Sequence, residues 1–286
     1  MYKEKMKLSD HLLFILGAPD PEMENIMTIF QNYGLSYAFA TLNGRKIGPS
    51  TAYDANGYGP IVGDERPYKQ TAHIFVECSV KGIEPIKIID HHRLGDFGYG
   101  RPPAEFWIAS SIGQTWNLLY LQIDDQNNPP LDIPNEYLYS AAADHCLSAA
   151  YRNECPGILP EKLLEWRMES RSKFQRIPVE ELYARVIRAQ EVLKQAPKVV
   201  IGDETVADLT GCDRVDELPE ASCILRIPFL YSSLDERTNR IKYGFMGATP
   251  RTLSIWMESK RADDSIEDVY GDPVRGFAGA YLKRVI

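Results

Sequence analysis

Residues 88–96 read IIDHHRLGD, so two β-branched aliphatic residues run directly into Asp90, His91 and His92. A short apolar run of this kind is typical of a buried strand. The acid and the two imidazoles at its end are either an ordinary polar strand end or the centre of a metal site. The choice depends on whether acids from other segments reach the same place.

The segments before and after this stretch alternate between two patterns. Four short apolar runs predict strands, at residues 11–18, 36–44, 72–80 and 85–92. Three stretches with helical spacing or many small residues predict helices, at 21–34, 103–121 and 136–152. Strands that alternate with helices favour a doubly wound parallel sheet. In such a sheet, ligands bind just beyond the carboxyl ends of the strands.

A second pattern follows a charged helical segment at 159–197, which we interpret as a connector. Four further runs predict strands, at 198–202, 221–230, 240–248 and 279–286, and residues 251–259 predict a helix. We therefore expect an α/β protein with two domains. Residues 1–158 would hold the doubly wound parallel sheet, and residues 198–286 would form a smaller α/β domain.

Composition is that of a soluble globular chain, with 286 residues, 44% hydrophobic and 25% charged. No apolar run approaches the ~20 residues that a bilayer span needs, so no membrane partner is expected. Leu12–Leu16 is too short for a signal segment, and the cytoplasm is the expected location. The five cysteines are odd in number and show no C-x-x-C spacing, which favours buried reduced thiols over disulfides or structural zinc.

The net charge of −8 bears on the substrate. Proteins that grip long nucleic acid neutralise its phosphates with a basic face, and this sequence has no basic run. Long duplex nucleic acid is therefore disfavoured as a partner. A small anion, held by metal ions or by a few placed arginines, is compatible with this charge. A homodimer is left open.

Acids follow several of the predicted strands. Asp20 and Glu22 come after the first, Glu77 closes the third, and Asp144 lies in the small-residue segment AAADHC. Each has an ordinary explanation, since Asp20 is a good helix cap and Glu22 suits a first helical turn. Glu77 in an apolar strand would be costly without a partner. Four segments that deliver acids or imidazoles to one edge of the sheet indicate a common site.

The ordered set of motifs resembles the DHH phosphoesterase superfamily, which includes single-strand exonucleases, short-oligonucleotide hydrolases, cyclic-dinucleotide phosphodiesterases and family II pyrophosphatases. The four motifs of that superfamily are matched by LGAPDPE (16–22), Glu77, Asp90–His92 and Asp144. Three positions depart from its pattern. Leu16 stands where the superfamily has a histidine, and Glu22 and Glu77 replace aspartates. His145 is a candidate for the missing imidazole.

The resemblance implies a two-domain phosphoesterase with its active site in the cleft between the domains. The implied ligands of Mn²⁺ or Mg²⁺, as two ions or one, are Asp20, Glu22, Glu77, His91 and Asp144. Asp90 would orient a histidine, His92 would face the phosphoryl group and Arg93 would neutralise developing charge. Two bound ions can stabilise both the attacking and the leaving oxygen of a displacement.

The C-terminal segment loosely resembles the DHH-associated substrate domain, whose G-G-H motif approaches the substrate. Here YGDPVRGFAGAYL (270–282) keeps Gly276 and Gly279 but lacks the histidine, and Arg275 lies nearby. Arginine can hold a phosphate with two parallel hydrogen bonds. The resemblance therefore implies substrate-binding roles for these three residues. The long loop at 44–60, rich in glycine and tyrosine, is a further candidate lining or a solvated connection.

These observations predict a hydrolase that cleaves a phosphodiester or phosphoanhydride bond in a small or short nucleotide-type substrate. The altered motif leaves a second hypothesis open, a nucleotide- or phosphate-binding regulatory protein that has lost catalysis. A third, an inorganic pyrophosphatase, lacks the C-terminal cluster of lysines and arginines that such enzymes supply.

Overall fold

A computed structural model of the chain describes residues 12–63, 72–123, 132–235 and 238–283. The chain divides into two compact units, and the expected α/β fold is confirmed. The first unit contains the described residues up to Tyr99 together with Glu105–His145, and the second contains Gly100–Ala104 and the residues from Cys146 onward. The domain limits predicted at residues 158 and 197 stay predictions. His11 and residues 284–286, the ends of two predicted strands, lie outside the described residues.

The described part of the first unit has six strands, which are β1 (Leu12–Leu16), β2 (Ser36–Leu42), β3 (Arg45–Lys46), β4 (Gly57–Tyr58), β5 (Ala72–Val76) and β6 (Lys87–Ile89). They form one sheet in the order β3-β2-β1-β5-β6, with β4 also paired to β2. The pairs β1–β2, β1–β5 and β5–β6 are parallel, whereas β3 and β4 run antiparallel to β2. The carboxyl ends of β1, β5 and β6 therefore meet at one edge.

Four helices accompany this sheet in sequence, which are α1 (Pro21–Asn32), α2 (Phe106–Ala109), α3 (Ser111–Ile123) and α4 (Asn135–Tyr151). Every residue of β1 is buried, as expected for a strand covered on both faces. The ring of Phe14 lies 4.3 Å from that of Phe30 on α1, measured between centroids. Helix α4 crosses from the first unit into the second and is kinked at Cys146, which has φ −152° and ψ 51°.

The second unit continues with helices α5 (Pro160–Gln175) and α6 (Val179–Gln195). Pairs of strands follow, with one helix between successive pairs: β7 (Lys198–Ile201), β8 (Glu204–Leu209), α7 (Leu218–Leu225), β9 (Phe229–Asp235), β10 (Arg240–Met246), α8 (Pro250–Arg261), β11 (Ile266–Asp272) and β12 (Phe277–Leu282). The sheet order is β11-β12-β10-β9-β8-β7. Its pairs are antiparallel except β8–β9, which is parallel. Among the described helices, none combines the length and the apolar character that a membrane crossing requires.

The strand predicted over 221–230 is wrong in its first half. Residues Leu218–Leu225 form α7, and extended structure begins only at Phe229. Pro219 lies in the first turn of α7, where proline is favoured, and Arg226 ends the helix in the left-handed region with φ 55°. The apolar run of this segment thus covers the end of a buried helix, a turn and the start of a strand, and its hydrophobicity alone does not separate them.

Candidate metal centre

Four side chains of the first unit converge at the carboxyl edge of the parallel strands. Glu77 directly follows β5, and His91 and His92 follow β6, while Asp144 comes from α4. Each of the four offers one ligand atom, and these atoms all lie within 4.8 Å of one another. We call this group the ligand cluster. Three of its members were predicted as ligands from the sequence, and His92 was predicted to face the phosphoryl group instead.

His91 lies at the middle of the ligand cluster and is fully buried. Its Nε2 atom lies 2.7 Å from Oδ2 of Asp144 and 3.5 Å from Oε1 of Glu77. The rings of His91 and His92 meet edge to face, with centroids 4.4 Å apart. Two carboxylates thus approach one imidazole nitrogen, which is the donor set of a divalent metal site with mixed nitrogen and oxygen ligands.

The backbone at Glu77 is unusual. Its φ is +53°, in the left-handed region that non-glycine residues seldom occupy. The Glu77 amide donates to the carbonyl of Ile89 at 3.0 Å, which ties the ends of β5 and β6 together. A Cβ atom at Gly17 would lie 2.3 Å from the Glu77 carbonyl oxygen, so glycine is required after β1 for the strands to approach. This turn therefore fixes the backbone of Glu77 between the ends of β1, β5 and β6.

Asp90 supports the two histidines. Its Oδ1 atom accepts hydrogen bonds from the amides of His91 at 2.7 Å and His92 at 3.0 Å, and it lies 2.9 Å from Nδ1 of His92. Burial alone would raise the pKa of Asp90. The hydrogen bond and charge of His92, together with the hydroxyl of Tyr53, instead hold the pKa of this carboxyl below its usual value. Asp90 therefore stays ionised and orients His92, whereas the sequence did not indicate which histidine it serves.

His145 contacts the opposite side of His91. The two Nδ1 atoms lie 3.2 Å apart, and the rings stack with centroids 5.4 Å apart. Both rings are fully buried. His145 is not a member of the ligand cluster, and its candidacy for the imidazole that Leu16 replaces stays a prediction. Leu16 itself is a fully buried core residue at the end of β1.

Asp20 and Glu22 lie near the ligand cluster but have backbone partners of their own. Oδ1 of Asp20 caps α1 by accepting from the Met23 amide at 2.7 Å, and Oε1 of Glu22 accepts from the Ile112 amide at 3.0 Å. Burial is the main cause that raises the pKa of both acids well above their ordinary values, and the charges of Glu77 and Asp144 raise them further. Their predicted role as ligands stays a prediction.

These features fit a bound divalent cation. Oε1 of Glu77 and Oε2 of Glu22 are buried and accept no hydrogen bond from the described residues. Buried carboxylates without such partners are costly, and acids crowded together repel one another. A cation with oxygen and imidazole ligands would satisfy these oxygens and neutralise the repulsion. The cluster thus offers a metal ion two imidazoles and two carboxylates.

Arg93 lies directly beside this group. Its guanidinium carbon lies 3.5 Å from the centre of the Tyr53 ring. Tyr53 belongs to a 3-10 turn, Pro49–Asp54, in the long loop singled out in the sequence. Its hydroxyl donates to Oδ2 of Asp90 at 2.8 Å. This loop is a candidate lining of the site in the sequence, and within it the Tyr53 ring lies against the guanidinium of Arg93.

The predicted substrate residues of the second unit occupy the turn between β11 and β12 and the strand that follows. Gly276 has φ +88°, and Oδ1 of Asp272 accepts from the amides of Val274 and Arg275, at 3.0 and 3.4 Å. Gly279 lies on β12 beneath the ring of Tyr270, which a Cβ atom would meet at 2.3 Å. These glycines thus have local structural reasons, and their role toward a substrate, like that of Arg275, stays a prediction.

Two supporting residues were missed in the sequence. In the sequence, His145 is a candidate ligand and not a supporting residue, and Gln114 lies in a predicted helix without a predicted role. The Gln114 side chain donates to the carbonyls of Asp90 at 2.9 Å and Ala109 at 2.8 Å, which fastens α3 to the end of β6. A polar residue within the apolar helix 103–121 was the available indication, because a buried amide needs partners.

No family model matches the sequence, and no curated protein matches it either. Among solved structures, the chain is similar to PggH, a pGpG-specific phosphodiesterase from Vibrio cholerae, with 8% sequence identity and a TM-score of 0.45. The similarity covers 95% of this chain and 93% of that chain. Similarity at this level carries no conclusion about family, activity or substrate.

Proposed function

We propose that this chain is a metal-dependent phosphoesterase that hydrolyses a phosphodiester or phosphoanhydride bond in a small or short nucleotide-type substrate. The observation that carries the proposal is the ligand cluster, whose atoms lie within 4.8 Å of one another. It lies beyond the carboxyl ends of parallel strands, where α/β proteins place their sites. The order of the motifs along the sequence supports the same proposal.

The donor set favours Mn²⁺ or Mg²⁺, as two ions or one. Carboxylate ligands suit both ions, and imidazoles favour manganese over magnesium. When bound, such an ion supplies a water of lowered pKa and stabilises charge on phosphoryl oxygens. Glu77, His91, His92 and Asp144 would hold it, with Asp20 and Glu22 as further proposed ligands.

The residues around the cluster have separate tasks in this proposal. His92, whose Nδ1 lies 2.9 Å from Oδ1 of Asp90, would contact a phosphoryl oxygen with the part of its ring that does not bind metal. Arg93 is exposed on the same loop and offers a guanidinium to a second phosphate oxygen. Each group stabilises negative charge that grows in the transition state, and such placed charges account for much of catalysis by enzymes. Asp90 acts on the substrate only through His92.

A small substrate follows from the charge of the chain. The net charge of −8 opposes the approach of a long polyanion, because nothing in the sequence supplies a basic track. A short or cyclic nucleotide brings few phosphates, which a metal ion and Arg93 can neutralise. A phosphorylated small molecule would satisfy the same chemistry.

A second candidate function is a nucleotide- or phosphate-binding regulatory protein without catalysis. The observation in its favour is that Asp20 and Glu22 each hold a backbone amide and that Leu16 is a core residue. A cluster reduced to four ligands would bind one ion and a phosphate. It would then lack the second ion that assists the leaving group.

The test combines metal content with turnover. The purified chain is loaded with Mn²⁺, dialysed, analysed for bound metal and assayed on bis-p-nitrophenyl phosphate, linear and cyclic dinucleotides, and pyrophosphate. The proposal predicts bound manganese and hydrolysis of bis-p-nitrophenyl phosphate or of at least one dinucleotide, both lost in Asp144→Asn. Bound metal with phosphate binding but no hydrolysis would select the regulatory protein. Turnover confined to pyrophosphate would select the pyrophosphatase.

A further inference from the structure

Tyr53 touches two parts of the proposed site at once. Its hydroxyl donates to Oδ2 of Asp90 at 2.8 Å, and the face of its ring lies 3.5 Å from the guanidinium carbon of Arg93. The residue comes from the turn Pro49–Asp54, far along the chain from the DHH triplet. No motif in the sequence pointed to this connection.

The contact with Asp90 completes the surroundings of a buried carboxylate. Oδ1 of Asp90 serves the amides of His91 and His92 and the ring of His92, so Oδ2 needs a donor of its own. Asp90 is 1% exposed and cannot turn to water for one. Tyr53 supplies the donor. With both oxygens held, the carboxylate has one orientation, and the His92 ring that rests against it has one as well.

The contact with Arg93 is of another kind. Arginine has a flexible stem, and an exposed guanidinium loses conformational freedom when it binds a phosphate. The Tyr53 ring holds the guanidinium by cation–π attraction while leaving its N–H groups at the edge of the plane for an anion. An arginine arranged in this way loses less entropy when a phosphate arrives.

We infer that Tyr53 is a positioning residue that joins the two sides of the site, an assignment that rests on the function proposed above. Through its hydroxyl and Asp90 it fixes the imidazole of His92 in the ligand cluster. Through its ring it holds Arg93 ready for the phosphate of the substrate. The loop 44–60 is thus part of the site through Tyr53.

The hydroxyl of Tyr53 acts as a fixed donor and not as an acid or base. Burial raises the pKa of this phenol far above its ordinary value, and the charge and hydrogen bond of Asp90 raise it further. Its proton therefore stays in place at neutral pH. Tyr53 therefore contributes by holding Asp90 and Arg93 in place. A phenylalanine at this position would keep the ring against Arg93 and lose the hydrogen bond to Asp90.

Two substitutions separate the two contacts. Tyr53→Phe deletes the hydroxyl and keeps the ring, whereas Tyr53→Leu deletes both. The control is Tyr37→Phe, which deletes the hydroxyl of a buried tyrosine in the same unit. That hydroxyl accepts a side-chain hydrogen bond from Gln31 at 3.2 Å. Thermal unfolding of the metal-free proteins first shows that each variant is folded.

Calorimetric titration with Mn²⁺ alone measures how much the contact between Tyr53 and Asp90 contributes to metal affinity. Loss of a residue that supports a metal ligand weakens metal binding by about 10–100-fold, and we expect the lower end, about tenfold, in Tyr53→Phe and Tyr53→Leu. Tyr37→Phe should bind Mn²⁺ like the unsubstituted chain. A purely structural role for Tyr53 would lower the unfolding temperature without this selective loss.

Titration of the Mn²⁺-saturated proteins with inorganic phosphate measures how much the contact between the Tyr53 ring and Arg93 contributes to phosphate affinity. An exposed cation–π pair is worth a factor of about three to five in binding, so phosphate should bind about three- to fivefold more weakly to Tyr53→Leu than to Tyr53→Phe. Both readouts are independent of turnover. If the unsubstituted chain binds Mn²⁺ and Tyr53→Phe binds it within twofold, the positioning role is wrong while the proposed function stands. Equal phosphate affinity of the two variants would remove the role of the ring.

Discussion

Nε2 of His91 lies 2.7 Å from Oδ2 of Asp144, although one residue follows a strand and the other lies in the middle of a helix. In the absence of a cation, the imidazole and the carboxylate face each other directly. A metal ion that binds here must replace this contact with bonds to both atoms. Substitution of either residue therefore tests whether a metal ion binds at this edge of the sheet.

Substitutions of this pair should abolish metal binding and preserve the fold. We expect Asp144→Asn and His91→Ala to lose more Mn²⁺ affinity than the about 10–100-fold that loss of a supporting residue costs. Hydrolysis of whichever substrate the unsubstituted chain cleaves should fall together with the Mn²⁺ affinity. The matched control is Asp203→Asn, at an exposed aspartate of the second unit. Turnover that survives either substitution at full metal occupancy would exclude that residue from the mechanism.

Asp20 combines two roles that can be separated. Asparagine caps a helix about as well as aspartate, whereas alanine costs about 1 kcal/mol. We therefore expect Asp20→Asn to be at least as stable as the unsubstituted chain and Asp20→Ala to be less stable than Asp20→Asn, because only alanine loses the bond to the Met23 amide. If Asp20 is a ligand, both variants lose Mn²⁺ affinity. Undiminished affinity in Asp20→Asn would leave it as a cap only.

The raised pKa of Glu22 predicts that the metal-free chain loses folding stability as the pH rises. Burial, followed by the charges of Asp144, Glu77 and Asp20, raises its pKa well above the ordinary 4.5. The folded state then holds this proton more tightly than the unfolded state, so stability is greatest below the ordinary pKa and is lost as pH rises toward the raised one. Glu22→Gln cannot ionise and should keep that stability.

The measurement is chemical denaturation of both proteins in the presence of a chelator, across the range from pH 5 to pH 8. Glu22→Gln should exceed the unsubstituted chain in unfolding free energy at pH 8, and the difference should shrink as the pH approaches about 5. Added Mn²⁺ should reverse the order, since the glutamine removes a proposed ligand. A difference that is the same at every pH would show that Glu22 is not a destabilised acid.

The second unit contains a buried ionic group that should dominate its stability. Glu220 is fully buried, with Arg167 Nε at 2.6 Å from Oε2 and the Tyr151 hydroxyl donating to Oε1. Removing one partner of a buried pair costs about 3–5 kcal/mol, because the other charge is left buried alone. We expect Glu220→Ala to lose that much in denaturant unfolding.

Glu181 is the control for this prediction, because its pairs with Arg185 and Arg188 lie on the surface. Glu181→Ala should leave the free energy of unfolding almost unchanged, since water and salt screen exposed pairs. A loss of equal size in both variants would mean that burial is not what makes the Glu220 group important.

The sequence predicts the parallel sheet well because its longer strands are short apolar runs, which are typical of buried strands. Leu12–Leu16 is apolar throughout, as a strand covered on both faces must be, and acids directly follow β5 and β6, at Glu77 and Asp90. Strands β8 and β11 were missed because acids and a glycine interrupt them, and β11 also carries a bulge at Asp268, where φ is +51°. Their strand character comes from pairing with neighbours, which the sequence of the segment does not contain.

The site was predictable to the same extent. Glu77 and His91 follow strands, as ligands in such sheets do, and Asp144 reaches them from the middle of α4, so that the three meet in the ligand cluster. The contacts from His145 to His91 and from Tyr53 to Asp90 and Arg93 join segments far apart in the chain. Their spacing has no pattern, so only the folded structure brings them to notice.

Metal content after dialysis tests the central claim most directly. The chain is saturated with Mn²⁺, dialysed against metal-free buffer and analysed by mass spectrometry beside Asp144→Asn. The proposed metal centre predicts one or two equivalents of manganese in the unsubstituted chain and none in the variant. Equal manganese in the two proteins, or none in either, would contradict it and leave His91 and Asp144 as a buried pair that stabilises the fold.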